Sequence, residues 1–327
     1  MLLGIAADAV QGKARNEILE VINDGLTYDN LMEAFKEIQL DSSKSTSLMS
    51  ANAVCVEESI GNTISKEYSD RLKEIFGGEV FASQDIVDDV NSWVKTKTKG
   101  MIEDAADESV NQVLACLVNA VAFEAEWMEP YEDRDIYEKD FNNVDGTVTQ
   151  VQMLESTENT YIEDEFFTGF VKPYKDKKYA FMALLPKKAE CASFLLRAMK
   201  QIDFANLFDN AVCERVHAEI PEFKYDFSKN LTELCRDWGI NTLFTPEADF
   251  SPMSTEGMMM DSIMHKAHIE VDRKGTKAAA VTDPFLYGAI DLLVGDKFVY
   301  LNRPFVYAIM DTETGLPVFA GLYNHAA

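Results

Sequence analysis

Cysteine and histidine are both scarce in this chain of 327 residues, at five and four respectively. The cysteines, Cys55, Cys116, Cys191, Cys213 and Cys235, are widely spaced and include no C-x-x-C pair. A sparse, odd set argues against a disulfide framework and against a cysteine zinc site, and leaves free core thiols as the expectation. Catalytic signatures are missing too. There is no G-x-S-x-G, no H-E-x-x-H, no G-x-x-x-x-G-K and no G-x-G-x-x-G, so nothing nominates an enzyme active site, a nucleotide site or a cofactor. His265 and His268 would share a metal ion on a helix, but on a strand they face opposite sides. No acidic third ligand has matching spacing. The expectation is no metal, no cofactor and no catalytic residue.

Long apolar runs are also absent. The stretch from Met1 to Ala7 is apolar, but it stops at Asp8, has no basic leader, and is too short to span a bilayer. No later segment is apolar for eighteen residues, so no signal peptide and no membrane partner are expected. Positive charge is in short supply as well: 30 Lys and Arg stand against 56 Asp and Glu, a formal charge of −26. Such a surface repels phosphate backbones and anionic lipid, so nucleic acid is disfavoured as a partner. The acidic residues are spread along the chain, which reads as solubility.

What is present suits a globular protein: 47% of residues are hydrophobic and 26% charged. No repeat, low-complexity tract or Pro/Gly/Ser linker divides the chain, which predicts a single mixed α+β domain over 1–327. Residues 1–40 read as helices, with apolar stripes at Ile18, Leu19, Val21 and Ile22 and at Leu31, Phe35 and Ile38. Asn52 to Val56 reads as a short strand. Ile86, Val90, Trp93 and Val94 follow Ser83 and Asp85 at helical spacing, a capped helix start. The run from Val113 to Phe123 is nearly all apolar, fitting a strand buried on both faces or a buried helix.

Residues 170–186 predict two strands joined by a lysine-rich turn at Lys175 to Lys178, and Ser193 to Leu207 reads as helix. Val216 to Phe227 alternates like one strand, and Leu231 to Trp238 predicts a helix stopped by Gly239. His265 to Val271, Phe298 to Tyr300, Phe305 to Met310 and Pro317 to Tyr323 predict strands, with a turn at 311–315 joining the last two.

The segment from Gly275 to Ile290 is unusual. Its alanines favour a helix by propensity, but its periodicity is that of a strand. Thr276, Ala278, Ala280, Thr282, Pro284 and Leu286 are all small or apolar. Lys277, Ala279, Val281, Asp283, Phe285 and Tyr287 carry both charges. One face can enter a core while the other stays wet, as a strand joining a sheet requires. A surface loop that happens to alternate is the competing description.

The surrounding residues favour the strand. His265-Lys266-Ala267-His268-Ile269-Glu270-Val271-Asp272 followed by Gly275-Thr276-Lys277-Ala278-Ala279-Ala280 resembles the strand and hinge that lead into the reactive-centre loop of serpins. Asn91-Ser92-Trp93-Val94 looks like that family's N-x-W-V helix. Leu117-Val118-Asn119-Ala120 with Phe123 and Trp127 resembles its L-V-N-A strand. Phe141 with Asp145-Gly146, Leu184-Leu185-Pro186, Ile220-Pro221-Glu222-Phe223, Asp249-Phe250-Ser251, Asn302-Arg303-Pro304-Phe305 and Pro317-x-Phe319-x-Gly321 complete nine landmarks in the family's order. Each is weak alone; together they are specific.

The resemblance is to an inhibitory serpin of prokaryotic type. It implies an α+β serpin fold, with helices around three β-sheets and a reactive-centre loop over about 275–297. Met1 to Ala9 aligns with the end of the family's second helix, so the first helix, a strand and the start of the second are expected to be missing. The implied activity is metastable, suicide-substrate inhibition of a serine protease, and no enzyme activity. The hinge is Gly275, Thr276, Lys277, Ala278, Ala279, Ala280, Val281 and Thr282, whose small side chains suit rapid insertion.

Fourteen residues on from Gly275, the reactive bond falls at Ala289–Ile290, which suits an elastase-like protease; a register placing Tyr287 or Leu286 there suits a chymotrypsin-like one. Asn119 and His265 match the family's shutter residues, and Trp127 the tryptophan where the loop first enters. Two departures stand out: Arg273 replaces an acidic residue, and Pro284 lies in the portion that inserts. The helix over Leu31 to Ile38 is not basic, so no heparin activation is expected. The resemblance further implies a monomer, secreted or extracellular.

Overall fold

A computed structural model describes residues 1–22, 25–106, 110, 113–188, 199, 202–276 and 296–326. Its helices are α1 (Leu2–Ala9), α2 (Gly12–Ile22), α3 (Tyr28–Ser42), α4 (Glu58–Gly61), α5 (Lys66–Phe76), α6 (Ile86–Lys97), α7 (Phe204–Asp209) and α8 (Thr232–Asp237). The strands are β1 (Leu48–Glu57), β2 (Glu79–Ser83), β3 (Ala115–Phe123), β4 (Ala125–Glu126), β5 (Ile136–Asn142), β6 (Val148–Glu163), β7 (Phe167–Pro173) and β8 (Tyr179–Pro186). They continue as β9 (Val212–Pro221), β10 (Phe223–Asn230), β11 (Ser262–Val271), β12 (Gly275–Thr276), β13 (Lys297–Tyr300), β14 (Phe305–Asp311) and β15 (Pro317–Tyr323). The chain divides into two compact units: Met1–Phe123 with Tyr225–Ile269, and Glu124–Lys224 with Glu270–Ala327.

In the first unit, β2 pairs parallel with β1, β1 antiparallel with β3, and β3 parallel with β11. Alternation along these strands makes two cores. Val54, Val56, Leu117 and Ile263 face α1, α2 and α5. Ala53, Cys55, Cys116, Val118, Ala120 and Met264 face α6. The strand alternative for Val113–Phe123 is the one observed, and its burial on both faces explains why its sequence shows no alternation.

The helices begin and end where their chemistry directs. Asp85 caps α6 by accepting from the amide of Asp88, and Ile86, Val90 and Val94 recur on its buried side. Ser65 caps α5 through the amide of Tyr68, and Gly77 stops it at φ 61°, where a Cβ is disfavoured.

The second unit holds an eight-stranded sheet in the order β13-β9-β6-β7-β8-β14-β15, with β5 beside β6. The lysine-rich turn falls between β7 and β8 as expected. The single strand read over Val216–Phe227 is two strands. β9 ends at Pro221 in this sheet, and β10 begins at Phe223 to run beside β11. Alternation carries across Glu222, so the pattern alone hid the exchange of partners. Of the helix read over Ser193–Leu207, the described residues are helical at Met199, irregular at Ile202 and Asp203, and helical again in α7, which begins at Phe204.

Candidate functional site

Those of the residues singled out from sequence that the structure describes fall into two clusters, one in each unit. In the first unit, Asn52, Asn119 and His265 occupy matching positions on β1, β3 and β11: Asn52 opposes Asn119, which in turn opposes His265. Burial holds the His265 pKa below its usual value, so the ring is neutral at pH 7. Its Nδ1–H donates to Asn119 Oδ1 at 2.7 Å. Asn119 Nδ2 donates to Asn52 Oδ1 at 2.8 Å, and Asn52 Nδ2 to the Phe76 carbonyl at 2.9 Å. A directed chain of hydrogen bonds thus runs from β11 through β3 and β1 to the end of α5. It crosses the seam between β3 and β11, whose ladder joins Ser262–His268 to Cys116–Ala122. His268 faces the other way and pairs with Asp226 at 2.6 Å, as expected for residues three apart on a strand.

In the second unit, the chain leaves β11, turns at Asp272-Arg273-Lys274 and returns as β12. Asp272 Oδ1 accepts the amides of Lys274 and Gly275 at 2.7 and 3.0 Å, a side chain closing the turn around itself. Thr276 pairs with Val271 on one side and with Ala125 on the other, while Gly275 opposes Glu126. Glycine is required at 275: a Cβ there would lie 2.1 Å from the Ala125 carbonyl oxygen. Thr276 is fully buried, and its hydroxyl meets that of Tyr174 at 2.7 Å.

Trp127 secures the turn. Its backbone amide donates to the Lys274 carbonyl and its indole to the Asp272 carbonyl, both at 2.9 Å. The indole stacks on Tyr174 at 4.6 Å and meets Phe181 edge-on at 5.9 Å. Beside it, buried Lys172 pairs with Glu158 at 2.8 Å and sits 4.6 Å from the Tyr131 ring centre. Burial opposes the Lys172 charge, and Glu158, with Tyr131, reverses that effect and raises its pKa. Arg273 meets Asp133 at 2.6 Å and lies 3.9 Å from Glu222, so its reversed charge finds acidic partners in the same unit.

Asn119 and His265 are thus brought together, and Trp127 stands at the base of Gly275 and Thr276. The remaining hinge residues, Lys277, Ala278, Ala279, Ala280, Val281 and Thr282, and the reactive bond at Ala289 and Ile290 lie outside the described residues. Sequence reasoning missed Asn52, Tyr174, Lys172 and Glu158. A buried lysine or glutamate leaves no local signature, but the polar Asn52 within the largely apolar β1 was a visible exception. Among the described residues no group of three or more His, Cys, Asp or Glu could hold a metal. The two clusters hold strands; they present no nucleophile paired with a base.

Comparison with known proteins agrees with this geometry. An uncharacterized serpin-like protein of Thermococcus kodakarensis is 26% identical over 98% of this chain and 77% of its own length. The crystal structure of a thermophilic serpin, tengpin, in its native state matches with a TM-score of 0.89 and 32% identity, covering 99% of this chain and 86% of that one. Tengpin in its latent state matches less well, at 0.79 with 30% identity, covering 99% and 88%. The family model for serpins, the serine protease inhibitors, matches residues 1–326, and the chain therefore belongs to the serpin family.

Proposed function

We propose that this chain inhibits an elastase-like serine protease as a suicide substrate whose cleaved loop enters the sheet between β3 and β11. The protease serine bonds to the Ala289 carbonyl carbon, the bond to Ile290 breaks, and the freed amine takes a proton. The loop's N-terminal part then inserts with the acyl-enzyme still attached. Thr276 to Ala289 is fourteen residues, about 45 Å of strand at roughly 3.3 Å each, enough to carry the protease across a domain of this size.

The observation that carries this reading is the register of β12. Thr276 opposes Val271 and Ala125. Continued antiparallel along β11, the same register sets Ala278 against Ile269, Ala280 against Ala267, Thr282 against His265 and Pro284 against Ile263. On the β3 side the partners are Phe123, Val121, Asn119 and Leu117. The small, uncharged set therefore shares a face with Ile263 and Leu117 in the buried core. Lys277 and Asp283 fall on the opposite face.

Thr282 arrives where His265 and Asn119 are bonded to each other. A hydroxyl both donates and accepts, so it replaces their mutual bond as the strands part. Seven ladder pairs between β3 and β11 are lost on opening, and the incoming strand offers each edge new partners.

Gly288 and Ala289 suit a protease with a small primary pocket, and no Arg or Lys lies between Asp283 and Gly295 to attract a trypsin-like one. Incubation with pancreatic elastase tests the proposal: an inhibitor leaves a covalent complex that survives boiling in detergent. Cleavage without complex would support a non-inhibitory binding protein, which Pro284 in the inserting strand favours.

A further inference from the structure

Cys55 on β1 and Cys116 on β3 are direct partners in the antiparallel ladder. Both are fully buried on the α6 side, packed among Ile86, Val90, Val94 and Met264. The two thiols are within hydrogen-bonding reach of each other, and burial raises the Cys55 pKa well above its usual value. Opposed residues in an antiparallel pair have Cα atoms about 4.5 or 5.5 Å apart. A disulfide accepts roughly 4.4–6.8 Å, so a bond can form here with little backbone movement. Beneath a closed α6 the thiols stay protonated and out of reach of solvent, and so inert. They become reactive while the strands are paired but uncovered, as during folding.

We propose that Cys55 and Cys116 are a redox modification site, closed into a cross-strand disulfide by exchange with a small-molecule disulfide such as oxidised glutathione. One thiolate attacks the reagent's S–S bond, forming a mixed disulfide and releasing one glutathione thiolate. The second cysteine thiolate attacks the protein sulfur of that mixed disulfide and releases the other. The chain loses two electrons and two protons, and the protons end on the two glutathione thiols. The new bond fastens β1 to β3 and leaves the β3–β11 ladder untouched, so it stabilises the folded chain without closing the seam. It acts independently of protease inhibition.

The test is refolding from denaturant in reduced or oxidised glutathione, then alkylation, digestion and mass spectrometry. Oxidative refolding should give a peptide linking Cys55 to Cys116 and raise Tm by roughly 5 °C, and dithiothreitol should reverse both. Cys55→Ala or Cys116→Ala should abolish the linked peptide and the shift. Chain secreted into a bacterial periplasm gives a second readout if refolding in vitro fails. Natively folded chain alkylated at both positions after oxidative folding by either route would overturn the proposal, as would linkage of either cysteine to a different one.

Discussion

Replacing Asn119 by alanine removes the central link between β11 and β1. Its carboxamide accepts from His265 and donates to Asn52. Without it, the His265 Nδ1–H and the Asn52 Oδ1 both lose a partner, and Asn52 is 1% exposed. An unsatisfied buried polar group costs about 1–3 kcal/mol. Two such groups, with some relief from water entering the vacated space, put the cost at about 2–4 kcal/mol. For a chain of this size that lowers Tm by roughly 3–6 °C. Heat unfolding of such a chain is often irreversible, so scans of both proteins must share one heating rate.

His265→Ala supplies the control. Residues joined by one bond show a coupling of about 0.5–3 kcal/mol in a double-mutant cycle. An Asn119→Ala Tm within a degree of the parent, with effects additive to those of His265→Ala, would refute the idea that this chain of bonds holds the seam.

Other outcomes follow from the same geometry. Because burial lowers the His265 pKa in the fold, its contribution to stability is full above about pH 6.5 and is lost as pH falls through the lower folded value. Difference melts between the parent and His265→Gln should show that loss only on the acid side. Lys172→Met leaves Glu158 buried without its cation and should cost about 3–5 kcal/mol; adding Glu158→Gln should restore most of it, as read by denaturant midpoint. Ala280→Arg would bring a charge between Ala267 and Val121 as the loop enters, so the variant should be cleaved as substrate without leaving a detergent-stable complex. Unchanged inhibition by that variant would exclude the proposed register.

Much of the fold was legible because it rests on local rules. The cap of α6, the turn between β7 and β8 and the stop at Gly239 each carry their signal within a few residues. Asn119 and His265 were named from resemblance alone. Their bond depends on the relative register of β3 and β11, strands more than a hundred residues apart in sequence, and register between distant strands leaves no local trace. Asn52 is visible locally as a polar residue in an apolar strand, but its role appears only once β1 is set against β3. The Val216–Phe227 error has a different origin. Alternation reports which face is buried and says nothing about which sheet buries it, so a chain that changes sheets at Pro221 keeps its pattern.

The thermal melt of the chain before and after a single cut between Val281 and Gly295 bears most directly on the entry of the loop between β3 and β11. Insertion gives both strand edges a new partner, so the cut chain should melt well above the intact one. A cut chain melting at or below the intact value would contradict insertion outright.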